Sequence, residues 1–246
     1  MRTLRKKPPH TLPNGSEQAV HIPDGFFDGP TSLAAGAATV GVLAVAAKRS
    51  GADDDEMAPL MMGLTATYVF AVQMLNFPVA SGTSGHLLGG ALAAVLVGPW
   101  RASICLAVVL VVQALFADGG LTALGLNILL IGILPAFVGW GVFRGVLRVV
   151  PSRTGAVAGA GAAAFVSVPV AAAAFSVIYA LGGTADIPFG SLATAMIGTH
   201  VLIGIGEGVI TALTVGAVLA SRPDLVTGIR DLPRPLRGLD AVPTPA

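Results

Sequence analysis

Charged side chains fall in short clusters along this chain, and the stretches between them are apolar runs as long as Phe189 to Ala220. A bilayer core ~30 Å thick is crossed by about 20 apolar residues in a helix, at about 1.5 Å per residue. Runs of this kind leave few alternatives to helices in lipid. The composition agrees, with 54% hydrophobic and only 11% charged residues. Soluble globular domains carry about 25% charge. A disordered chain, a nucleic-acid binder and an ordinary cytosolic enzyme are excluded on this ground. The chain reads as an all-α, polytopic helical membrane protein in contact with the lipid bilayer. Its lone cysteine, Cys105, rules out a disulfide framework or a thiolate metal cluster within one chain.

The spacing predicts about seven membrane helices. They are Thr31 to Ala47, Met57 to Phe77, His86 to Gly98, Ala102 to Ala117, Thr122 to Val146, Gly155 to Leu181 and Phe189 to Ala220. The third run is too short to span. It follows Phe77-Pro-Val-Ala-Ser-Gly-Thr-Ser-Gly85, which is rich in turn formers. Non-helical backbone lies at membrane depth only inside protein or beside a cavity. Residues 78–85 are therefore expected to form a re-entrant loop, with Thr83 or Ser84 capping the short helix and His86 in its first turn. Pairs such as Ala34/Ala38 and Gly204/Gly208 have the small-xxx-small spacing of packed membrane helices. In so alanine-rich a chain that spacing also arises by chance. The expected organisation is an N-terminal extension over 1–19, a membrane domain over 20–221 and a solvated cytoplasmic tail over 222–246.

From residue 21 onward the basic residues are Lys48, Arg49, Arg101, Arg144, Arg148, Arg153, Arg222, Arg230, Arg234 and Arg237. Seven spans with a cytoplasmic C-terminus place all of them inside, as the positive-inside rule requires. His21 then lies outside. Arg2, Arg5, Lys6 and Lys7 are the misfit, since they fall outside too. No apolar run follows them, so they do not belong to a signal peptide.

Three polar features can carry chemistry. The first is His21-Ile-Pro-Asp-Gly-Phe26, before the first span; its plainer reading is a boundary turn built on Pro23 and Gly25. The second is His86, costly at membrane depth without a partner; its plainer reading is a histidine bonded to a loop carbonyl. The third is the last run, where His200 and Glu207 are seven residues apart and so nearly on one helix face. Glu207 must face the bundle interior, as a partner of a site, a proton acceptor or a packing lock against His200. Gln73, Asn76, Gln113 and Asn127 read as polar glue between helices. No zinc-protease, nucleophile-elbow or phosphate-loop motif is present. ATP, if it drives this protein, must be hydrolysed on another subunit.

His21-Ile-Pro-Asp-Gly-Phe and Phe77-Pro-Val-Ala-Ser-Gly-Thr-Ser-Gly-His86-Leu resemble two signatures of the CbiM/NikM family. Gly119-Gly-Leu-Thr-Ala-Leu-Gly-Leu-Asn127 and His200-Val-Leu-Ile-Gly-Ile-Gly-Glu207-Gly-Val-Ile-Thr211 are similar to two more. The family comprises the substrate-binding membrane subunits of energy-coupling-factor transporters for cobalt and nickel. The resemblance implies seven helices and a tucked-in N-terminus. It implies uptake of Co2+ or Ni2+ across the cell membrane, with no permanent cofactor. It implies a transmembrane coupling subunit, cytoplasmic ATPase subunits and, in some systems, a small accessory membrane subunit as partners. The metal ligands it implies are the terminal amine, the amide nitrogen and imidazole of the second residue, and a further histidine. The matching positions are His21 and His86. Nitrogen ligands in a plane suit Ni(II), and imidazole suits nickel and cobalt. Asp118 stands where the family often has histidine, as an extra oxygen ligand or a loop acid. Asp118, His200 and Glu207 are the candidates to lie behind the two ligands.

In the family the histidine directly follows the initiating methionine, whereas His21 has twenty residues before it. Residue 20 is valine, which GTG encodes, and GTG also serves as a bacterial start codon. A chain begun at Val20, read as methionine, would supply the amine and remove the four misplaced charges; the alternative is proteolytic trimming before residue 20. The reading from another class is an ion- or proton-coupled secondary carrier or channel, with Glu207 and His200 as the relay.

Overall fold

The computed structural model describes residues 21–51, 55–74, 77–80, 83–230, 232 and 236–238. The extension over 1–19, Val20, Asn76 and the end of the chain beyond Gly238 lie outside the described residues. Helix α1, Gly29–Ser50, opens where the Asp28 carboxylate accepts the Thr31 N–H at 2.8 Å, with Pro30 in the first turn. It closes with Lys48 and Arg49 in the last turn, where cations suit the helix dipole. Then come α2 (Ala58–Gln73), strands β1 (Phe77–Ala80) and β2 (Thr83–Gly85), α3 (Gly90–Val97) and α4 (Pro99–Leu115). Helices α5 (Leu124–Val149), α6 (Arg153–Gly182) and α7 (Phe189–Ser221) follow. A 3-10 turn at Pro223–Leu225 and the short α8 (Thr227–Arg230) end the described regular structure.

Four of these helices, α1, α5, α6 and α7, are long and apolar enough to cross a membrane. Helices α2 and α4 are apolar but shorter, at 16 and 17 residues. Helix α3 is the centre of the bundle: all eight of its residues are buried, against α5, α4 and α2 above all. That is why it can be ~12 Å long in a membrane protein; protein, not lipid, surrounds it.

The stretch expected as a re-entrant loop is non-helical, and its described residues pair as two antiparallel strands with Phe77 opposite Gly85. The expected start of the next helix is corrected. The helix after it begins at Gly90 rather than at His86, so neither Thr83 nor Ser84 caps it. The reason is Gly89, which holds φ at +76° and breaks the helical path. A Cβ there would also lie 2.7 Å from the Val69 side chain. His86 is thus carried on extended chain ahead of α3.

Helix α5 contains a π-helical stretch, Ile128–Ile133, just before Pro135. A proline inside a helix removes one N–H, and a wider turn absorbs the mismatch. Helices α6 and α7 pack on each other through glycines. A Cβ on Gly208 would lie 3.0 Å from the Gly161 carbonyl, and one on Gly204 would lie 2.9 Å from that of Phe165. Of the two small-residue pairs in the sequence, Gly204/Gly208 is therefore a packing seam, while Ala34 and Ala38 are exposed.

The region after Ser221 is also revised. It is not simply solvated, for Val226 and Leu236 are buried in one apolar cluster with Val95, Val97, Phe143 and Leu219. Arg144 donates to the Gly228 carbonyl at 3.2 Å. Asp55 receives Arg230 at 2.6 Å and Arg101 at 3.5 Å. The chain end covers the C-terminal end of α3, on the face where the basic helix ends gather.

Candidate metal centre

At the opposite end, residues 21–28 turn inward between the helix ends. Asn127, at the start of the π-helical stretch, grips Ile22 twice. Its Oδ1 accepts the Ile22 N–H at 3.0 Å, and its Nδ2 donates to the Ile22 carbonyl at 3.2 Å. Asp24 Oδ1 accepts both the N–H and the hydroxyl of Thr122, at 2.7 and 2.6 Å. Those bonds hold the Asp24 carboxyl below the ordinary carboxylate range. The Gly120 N–H donates to the Ile22 carbonyl at 2.9 Å, and a Cβ on Gly120 would fall 2.3 Å from the Asp24 nitrogen. Only glycine lets the two loops lie so close. Thr184 donates through its hydroxyl to the Gly25 carbonyl at 2.6 Å. Phe26 and Phe27 pack against Phe175 and Tyr179, with ring centroids 5.6 to 6.3 Å apart. The segment is fixed by polar bonds on one side and rings on the other.

These contacts bury His21 beside His86, at 5% and 8% exposure. Their rings meet edge to face with centroids 4.8 Å apart. His21 Nδ1 bonds the Asp118 carbonyl at 3.0 Å and lies 3.3 Å from its Oδ1. His86 Nδ1 bonds the Leu87 carbonyl at 3.0 Å. Carbonyls only accept, so both Nδ1 atoms carry the proton and Nε2 is the free nitrogen. His21 Nε2 is buried with no hydrogen-bond partner. The fused chelate implied by the resemblance uses the other nitrogen, Nδ1, since only that atom closes a ring with its own amide. Its formation requires His21 Nδ1 to give up its bond to the Asp118 carbonyl.

Glu207 does not lock His200. Its Oε2 accepts the Leu88 N–H at 2.7 Å and its Oε1 the Gly89 N–H at 3.0 Å. His200 instead bonds the Met196 carbonyl through Nδ1, at 2.7 Å. Gln73 donates to the Leu88 carbonyl at 2.6 Å. Glu207 and Gln73 thus shape the chain just after His86. In sequence, Gln73 and Asn127 read only as helix glue, and Asp24 does not stand out as a clamp. The signals that point to them are a buried amide on each of two helices and an acid inside a Pro-Asp-Gly turn.

His21, His86 and His200 all line one cavity of about 390 Å³. Its other walls are mainly apolar, from Ile22, Phe26, Leu88, Ile131, Phe175 and Ile203. Among the described residues no three His, Cys, Asp or Glu side chains come close enough to hold one ion. Two imidazoles meet, and any further nitrogen donors must come from backbone or terminus.

Apolar helices around a histidine-lined cavity define a polytopic helical membrane protein with a polar site between its helices. More narrowly, the chain belongs to the CbiM family, described as the cobalt uptake substrate-specific transmembrane region, whose profile matches residues 21–225. A Haloquadratum walsbyi relative named for metal transport is 40% identical, over 84% of this chain and 93% of its own. The cobalt transport protein CbiM of Sorangium cellulosum is 36% identical, over 72% of this chain and 80% of its own. A crystal structure of a truncated transition metal transporter superposes with a TM-score of 0.73 at 34% identity, covering 81% of this chain and 98% of that one.

Proposed function

We propose that this chain is the substrate-selecting membrane subunit for uptake of divalent cobalt or nickel. The observation that carries the reading is the meeting of His21 and His86, which come from segments far apart in sequence, at one cavity. His86 presents an unprotonated Nε2 while the Leu87 carbonyl holds its Nδ1, the arrangement by which metal-binding histidines are fixed in their tautomer, and the His21 ring lies against it. Family membership and the relatives' names support the same reading. The ion enters from outside the cell membrane, since the basic helix ends gather at the far face. Energy comes from cytoplasmic ATPase subunits acting through a transmembrane coupling subunit. The terminal amine of a chain begun at Val20 supplies a further nitrogen. The relay expected of a secondary carrier loses its support, because Glu207 and His200 are each bonded to backbone elsewhere.

Titration of detergent-purified protein with Ni2+ and Co2+ tests this. Losing even a supporting partner of a metal ligand costs about 10–100-fold in affinity. His21→Ala and His86→Ala are each expected to weaken binding at least about a hundredfold while thermal unfolding stays cooperative. A chain begun with methionine at position 20 is expected to bind more tightly than one begun at Met1. Retained affinity in both alanine variants would falsify the assignment.

A further inference from the structure

The cavity has three imidazoles, but the centre just described uses two. His200 lines the same space from α7 and does not close into a three-ligand group with the others. Its ring is nevertheless prepared in the same way. Nδ1 donates to the Met196 carbonyl at 2.7 Å, one helical turn earlier, so Nε2 keeps its lone pair. That is the hydrogen bond that fixes tautomer and orientation in metal-ligating histidines.

Exposure separates the three. His21 and His86 are buried, whereas His200 is only half-buried. It lies in the N-terminal half of α7, where Thr194, Ala195, Ile197 and Gly198 are exposed. His200 is therefore the least buried of the three imidazoles in the cavity. Among the described residues, the only other polar side chain of the lining is Thr199. An ion that enters must give up water before it reaches His86, and apolar walls return nothing for that loss.

We propose that His200 is a relay ligand. Through Nε2 it takes a divalent transition-metal ion at the less buried part of the cavity and passes it to His86 and His21. Water is thereby replaced by nitrogen one ligand at a time. The inference rests on the reading that this cavity binds such an ion. A relay lowers the barrier in both directions, so its loss slows entry and release together and leaves their ratio nearly unchanged.

The test uses the full chain in detergent with Ni2+ alone as the probe. Association is followed by stopped-flow absorption, and release by competition with a chelator. His200→Ala is expected to slow both rates about tenfold or more, the scale of supporting groups at metal sites, with the equilibrium affinity moving less than about threefold. His200→Gln, polar and similar in length, is expected to do the same and keeps the test open if the alanine variant misfolds. Unchanged rates overturn the proposal. So does a loss of affinity as large as that of His86→Ala, which would make His200 a member of the main centre. Faster release overturns it as well, since that is the mark of a packing role. A wild-type chain that binds no Ni2+ overturns the functional reading itself and this inference with it.

Discussion

Glu207 is 1% exposed on a membrane-length helix, yet both its oxygens are engaged. Glu207, reaching across from α7, gives one oxygen each to the Leu88 and Gly89 N–H groups in the turn just before α3. The sequence points instead to Thr83 or Ser84, because local caps can be seen in a sequence and distant contacts cannot. Stranding a buried donor costs about 1–3 kcal/mol. Glu207→Leu strands two, so a large fall in the thermal unfolding midpoint is expected. Glu207→Gln keeps one acceptor, and a smaller fall is expected. Ni2+ affinity, measured by titration, should drop in the same order, because Leu88 is two residues from His86. Wild-type stability in the leucine variant would mean that the carboxylate does not hold this turn.

At the scale of elements, the entering segment over 21–28 depends on partners 98 to 159 residues away. His21-Ile-Pro-Asp-Gly-Phe is legible as a turn, and its resemblance to a family signature is legible too. Its anchors, Thr122, Asn127 and Thr184, are not, because spacing along one helix says nothing about contacts between loops. Asp24 makes the anchor titratable. Its folded carboxyl lies below the ordinary value of about 3.9, so the unfolded chain binds its proton first as pH falls. The stabilisation is complete above that ordinary value and is lost only as pH falls through the lower folded one. Hydrogen exchange of residues 21–28 is therefore expected to stay slow at pH ~5 and to rise below pH ~4. Asp24→Asn should give fast exchange at neutral pH and weaken Ni2+ binding about tenfold. Exchange that does not respond to either change would separate the clamp from the site.

For the whole molecule, helix positions are legible because apolar run length reports how much chain lies in lipid. The reading fails where protein replaces lipid. The start of α3 is set by Gly89 and a carboxylate 118 residues away, and the region after Ser221 is polar in sequence but buries Val226 and Leu236. An ionic contact ties that chain end to the bundle. Asp55 takes Arg230, 34% exposed, and Arg101, only 8% exposed, on the same oxygen. Exposed ion pairs contribute about 0–1 kcal/mol, and breaking a buried one costs about 3–5 kcal/mol. This one lies between the two, so Asp55→Ala is expected to cost on the order of 1–2 kcal/mol. The effect should be local: limited proteolysis after Ser221 should quicken, and the unfolding midpoint should fall modestly. Ni2+ affinity at the far end of the bundle should hold within about twofold, as distant sites act independently. If affinity fell with the latch, the two faces would be coupled, and the chain end would have to be counted in the transport cycle rather than as a cover for α3.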